Sequence, residues 1–149
     1  MSIWRDPRSL EWLNASTEGT LVGHLGILFT EIGADFLRAT MPVEARTHQP
    51  YGLLHGGASV ALAETTGSTG ATMCVDPGKF RCVGQEINAN HLRAARTGQV
   101  TATARPVHLG GRSQVWTIEI VDDATRLVCI SRLTIAVIRA ENPATVKSL

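Results

Sequence analysis

Apolar positions change their spacing along this chain, and the changes mark its elements. In residues 8–15, Leu10 and Leu13 stand three apart behind Pro7, which predicts a short amphipathic helix, and residues 20–25 add a second turn. Gly26 to Ile32 and Asp35 to Val43 read as strands joined through Gly33-Ala34-Asp35, and Thr47 to Leu54, marked by Pro50 and Gly52, as a loop. Ala58 to Cys74 is the one long helical candidate. Its own propensity is poor, since Gly67, Gly70 and four threonines weaken it, each Gly by ~1 kcal/mol against Ala. Such a helix persists only under tertiary packing, and its small side chains let another backbone come very close, as when a sheet wraps a central helix.

The second half alternates with period two. Phe80 to Leu92, Gly98 to His108, Ser113 to Val121 and Leu127 to Arg139 are rich in Val, Ile and Thr and are separated by Thr97-Gly98, Gly110-Gly111 and Asp122-Asp123. Val100, Ala102 and Ala104 alternate with Thr101, Thr103 and Arg105, so one face is apolar. Val128 to Ile138 is apolar on both faces apart from Ser131, Arg132 and Thr134, which predicts a central strand or an oligomer contact. Residues 139–149 read as a frayed tail. The order describes one α+β domain over 1–149, a long antiparallel sheet around one helix.

Composition narrows the partners. A formal net charge of +1 gives no whole-molecule attraction to nucleic acid or an anionic membrane. The odd cysteine count (Cys74, Cys82, Cys129), with no C-x-x-C pair, fits reduced thiols in a cytoplasmic protein. No export signal and no membrane span is expected. The five histidines lack zinc-type spacing, so no metal site is expected.

Charge patterning also locates candidate chemistry. Between Arg46 and Asp76 the only formally charged side chain is Glu64, and positions 60, 61, 67 and 68 are Val, Ala, Gly and Ser, so no cation stands at helical neighbour spacing. A mid-helix Glu ordinarily faces solvent. Here its surroundings are built for burial, and a buried carboxylate is costly unless something pairs with it or uses it. His55-Gly56-Gly57 reads as a turn opening a helix N-terminus, and together with Glu64 it predicts a catalytic acid beside an oxyanion site. Gly57-Ala58-Ser59-Val60-Ala61 echoes a nucleophile elbow only faintly, because the strand that should precede Ser59 is missing.

The segments Gln49-Pro50-Tyr51-Gly52-Leu53-Leu54-His55-Gly56-Gly57-Ala58-Ser59, then Glu64 and Ser68, Glu86-Ile87-Asn88-Ala89-Asn90-His91 and His108-Leu109-Gly110-Gly111-Arg112 carry a resemblance. The chain resembles the hotdog-fold acyl-CoA thioesterases from about Leu10 to Val137, in the 4-hydroxybenzoyl-CoA thioesterase branch whose catalytic residue is Glu. It looks closest to the subgroup acting on aryl-CoA or aryl-carrier-protein thioesters, which includes the 1,4-dihydroxy-2-naphthoyl-CoA thioesterase of menaquinone synthesis and the enterobactin proofreading thioesterase. Position 68 is Ser where the best-known soil-bacterial enzymes have Thr, and position 111 is Gly where a longer, often basic, side chain is expected.

The resemblance implies hydrolysis of aryl- or medium-chain acyl thioesters with CoA as part of the substrate and no cofactor. Glu64 would be general base or nucleophile, and the Gly56 amide the oxyanion donor, with Gln49 and His55 supporting and Ser68 holding the water. Tyr51 would line the pocket, while His91, Arg93, His108, Gly110, Gly111 and Arg112 would form the CoA-facing rim. It further implies a homotetramer, a dimer of dimers, whose sites lie at the dimer interface with Glu64 and Ser68 from one subunit and Gln49, His55 and Gly56 from the other. Two alternatives stand beside it. A hotdog hydratase or dehydratase usually sets its His and acid further apart, and a non-catalytic acyl-CoA sensor usually carries an attached DNA-binding segment.

Overall fold

The computed structural model describes residues 2–140. Two short helices, α1 (Leu10–Ala15) and α2 (Leu21–His24), precede strands β1 (Leu28–Ile32) and β2 (Leu37–Pro42); after a 3-10 turn at Ala45–Thr47 comes the long helix α3 (Gly56–Met73). Strands β3 (Phe80–His91), β4 (Gln99–Leu109), β5 (Ser113–Asp122) and β6 (Leu127–Arg139) follow. They form one antiparallel six-stranded sheet in the order β1-β2-β4-β5-β6-β3, wrapped around α3.

The reason this weak helix exists is visible in its packing. Leu62, Ala63 and Ala71 are wholly buried on the sheet. A Cβ added to Gly70 would lie 2.9 Å from the Trp116 ring, and one added to Gly67 would lie 2.7 Å from Leu133 Cδ2. The glycines that lower helix propensity are thus what lets α3 seat against β5 and β6. The helix starts at Gly56, two residues before the expected Ala58, and His55 of the expected His-Gly-Gly opening is its cap: His55 Nδ1 accepts from Gly57 N–H at 2.8 Å.

The doubly apolar strand β6 is interior, between β5 and β3, as one of its two readings required. Arg139 closes it and Ala140 N–H donates to Lys79 O, so the expected tail loses its first two residues to ordered structure; from Glu141 it lies outside the described residues. The chain before α1 is docked as well, with Trp4 stacked on Trp116 and its indole N–H on Gly33 O at 2.7 Å. No helix among the described residues is long and apolar enough to cross a membrane.

Strand β3 matters most for the site. It pairs with β6 along one side only, and its other edge is unpaired among the described residues. Its ladder skips one residue at Gln85: Gly84 faces Ile135 and Glu86 faces Thr134. A bulge of this kind flips the facing of everything beyond it. Cys82 and Gly84 face α3 before the bulge, and Ile87, Ala89 and His91 face it afterwards.

Candidate active site

The first turn of α3 presents four backbone N–H groups with no partner inside the helix. His55 takes three of them. Its ring accepts from Gly57, which requires a neutral ring protonated on Nε2, and its carbonyl accepts from Ala58 and Ser59 at 3.0 and 3.1 Å. Gly56 N–H alone has no acceptor among the described residues. It points from the positive end of an 18-residue helix, where a developing oxyanion is favoured.

His91, from the end of β3, lies against this amide's residue: a Cβ on Gly56 would be 2.8 Å from His91 Nε2. Gln49, Leu53, Leu54, Gly56, Ser59, His91 and Arg93 line one groove of about 330 Å³. The Gln49 carboxamide is turned by its own loop, its Oε1 accepting from Tyr51 N–H. Tyr51 itself is 84% exposed and lines none of the grooves described here.

Glu64 sits two turns along α3, with its carboxylate over β3: a Cβ on Gly84 would be 2.0 Å from Glu64 Oε1. No cation stands beside it among the described residues. Burial alone pushes its pKa up from the ordinary carboxylate value. Ser68, one turn on, opens instead onto an apolar groove of about 280 Å³ between α1 and α3, walled by Trp12, Leu13, Val22, Phe29 and Met73.

The expected CoA rim is divided within one protomer. His91 and Arg93 belong to the Gly56 groove, whereas Gly110 and Gly111 line a cavity of about 440 Å³ with Arg5, Cys74, Lys79 and Phe80. His108 packs back on its own hairpin, 2.5 Å from where a Gly110 Cβ would be, and the exposed Arg112 uses its carbonyl to accept from Val137 N–H. Glu64 and the Gly56 amide are also in separate places, one at Gly84 and the other at His91 of β3.

Two neighbours of the expected site residues lie outside the sequence expectations. Ser59, which the sequence offers only as a nucleophile, is buried in the groove beside Gly56. Gly84, which the sequence offers only as part of a strand, lies against Glu64. The signal for it was present: apolar positions shift from even (Cys82) to odd (Ile87, Ala89) across a glycine, the mark of a bulge. Among the described residues no group of His, Cys, Asp and Glu could hold a metal ion.

Comparison with known proteins identifies the family. Residues 51–129 match the thioesterase superfamily. The 1,4-dihydroxy-2-naphthoyl-CoA hydrolase of Escherichia coli is 56% identical over 91% of this chain and 99% of its own length. The proofreading thioesterase EntH of Cronobacter turicensis is 54% identical, over 91% and 98% respectively. Among solved structures, a mutant thioesterase from Pseudomonas aeruginosa superposes with a TM-score of 0.92 at 50% identity, covering 93% of this chain and all of that one.

Proposed function

Since the chain belongs to the thioesterase superfamily, we propose that it hydrolyses aryl-CoA thioesters, with Glu64 supplying or activating the attacking oxygen and the Gly56 amide holding the oxyanion. The chain is a thioester hydrolase, and its sheet around a single long helix is the hotdog fold. The free Gly56 N–H is the observation that carries the mechanism. A thioester carbonyl placed there gains charge as the tetrahedral intermediate forms, and a preset donor of this kind lowers the barrier by ~3 kcal/mol. Glycine at position 56 is what admits the His91 ring beside this amide, since a Cβ there would lie 2.8 Å from His91 Nε2.

The aryl preference is supported by the name of the E. coli relative and by the apolar groove beside Ser68, whose walls include Trp12 and Phe29. Collapse of the intermediate expels CoA as a thiol. Arg93, Arg112 and the Gly110-Gly111 amides are the groups offered to its phosphates.

The site is completed, in this reading, by a second copy of the chain. Glu64 lies at Gly84 and Gly56 at His91, and both positions are on the edge strand β3, whose outer side is unpaired among the described residues. Antiparallel pairing of β3 with its copy about Asn88 sets Ala89 opposite Ile87 and Asn90 opposite Glu86 of the partner. The bulge at Gln85 then brings His91 opposite Gly84. Each Glu64 thereby meets the other copy's Gly56.

The test is thiol release from a panel of aryl-CoA and fatty acyl-CoA thioesters by wild type and Glu64→Gln. Release favouring aryl groups, lowered at least ~100-fold in the variant, is expected. Full turnover by Glu64→Gln would sink the mechanism.

A further inference from the structure

We propose that Gly84 is a positioning residue for the catalytic carboxylate: its bare Cα, at the bulge of β3 and facing the helix, is the seat that fixes where Glu64 Oε1 lies. The inference rests on Glu64 being the reacting carboxylate, and deepens that reading.

The geometry is specific. A Cβ at position 84 would be 2.0 Å from Glu64 Oε1, 3.2 Å from its carboxyl carbon and 3.7 Å from Oε2, so one oxygen is pressed onto the strand backbone and the other stands away from it. Chain neighbours aside, the three heavy atoms nearest that Cβ all belong to Glu64. The Glu64 carboxylate is thus the first group a side chain at position 84 would meet. A regular strand would also turn Gly84 and His91, seven residues apart, to opposite faces. The bulge turns them to the same face, so the seat of the carboxylate and the ring covering Gly56 both point toward the helix layer.

The atom in the way is the far end of a flexible side chain. A methyl at position 84 therefore displaces the carboxylate by rotation and leaves strand and core intact. Gly70, whose would-be Cβ meets the enclosed Trp116 ring, has no such escape. Gly84→Ala should cost activity and spare stability, the reverse of the usual outcome for a crowded glycine. Within the chain no charged neighbour shifts the Glu64 pKa: Glu86, the next acid on β3, faces the other way beyond the bulge, and the titratable group that the proposed pairing adds is the other copy's His91. Rotation off the strand lessens the burial that raises it.

The experiment measures kcat, KM, pH profile and Tm on the full chain for Gly84→Ala, Glu64→Asp, the double variant and Glu64→Gln. Expected for Gly84→Ala are a kcat lower by ~100-fold, as for a reacting group misplaced by about 1 Å, a KM little changed, an unchanged Tm and an acidic limb of kcat/KM moved to lower pH. The shorter Asp withdraws from position 84, so the double variant should be no slower than Glu64→Asp alone. Wild-type kcat in Gly84→Ala, or losses that multiply in the double variant, would overturn the positioning role. Should Gly84→Ala fail to fold, the same change in a Glu64→Ala chain decides: recovery of Tm upholds the contact, and no recovery overturns it. Turnover retained by Glu64→Gln defeats the Glu64 reading itself and is read separately.

Discussion

A half-buried carboxylate with no cation beside it binds its proton more tightly than one in water, so Glu64 titrates above the ordinary carboxylate range. The folded chain then holds a proton that the unfolded chain has released. The stability tied to this group is therefore present below the unfolded pKa and lost as pH rises through the folded one. At neutral pH Glu64 is a destabilising residue kept in place. Glu64→Gln is expected to lose turnover yet melt at or above the wild-type Tm at pH 8, with the two curves converging toward pH 4; a lower Tm at pH 8 would contradict the burial account. With Glu64 as the proposed reacting carboxylate, the same proton is expected to set the acidic limb of kcat/KM, with a midpoint above the usual Glu value, and a midpoint at or below that value would contradict the proposal. The thiols follow the same physics. Burial lifts Cys74 to about 12 and raises Cys82 and Cys129, so native protein should resist alkylation at pH 8 and react fully once unfolded.

At the scale of elements, two opposing effects meet in α3, and their sizes decide which wins. Replacing Gly70 by Ala improves helix propensity by ~1 kcal/mol. The added methyl meets the Trp116 ring at 2.9 Å, and that ring is wholly buried, stacked on Trp4 and tied through its N–H to Gln114. Overpacking of this kind costs about 1–3 kcal/mol. Gly70→Ala is therefore expected to lower the urea midpoint without changing the slope of the transition, and a raised midpoint would show that the helix and sheet can part to admit it. The elements themselves were legible because period-two alternation between glycine and aspartate turns leaves little choice for β3 to β6. The helix was legible because it had to be buried to exist. His55-Gly56-Gly57 marks its opening, while its first residue falls two before Ala58 because a histidine cap gives no Ser/Thr/Asp signature. The anchoring of Trp4 was invisible, since its partners at Gly33 and Trp116 are distant in sequence.

Across the whole molecule, legibility divides along the same line. Glu64 and His55-Gly56-Gly57 could be picked out because charge is scarce around the one and side chains are absent from the other. Their separation in one protomer could not be read, because it depends on the strand order that leaves β3 at an edge. The outer edge of β3, a strand of 12 residues, is unpaired among the described residues and offers its backbone to another chain. If β3 pairs with its own copy about Asn88, the two Asn88 side chains face each other across the two-fold axis with Cβ atoms ~5 Å apart, while each Asn90 stands ~13 Å along the ladder from its copy. Asn88→Cys is thus expected to give a disulfide-linked dimer on mild oxidation, and Asn90→Cys to give none above the background of the native cysteines, read on non-reducing gels. Cross-linking at 90 in place of 88 would shift the pairing by two residues at each strand and carry His91 away from Gly84. The cross-linked Asn88→Cys dimer should also keep its turnover, because the covalent bond holds the register in which each Glu64 reaches the other copy's Gly56.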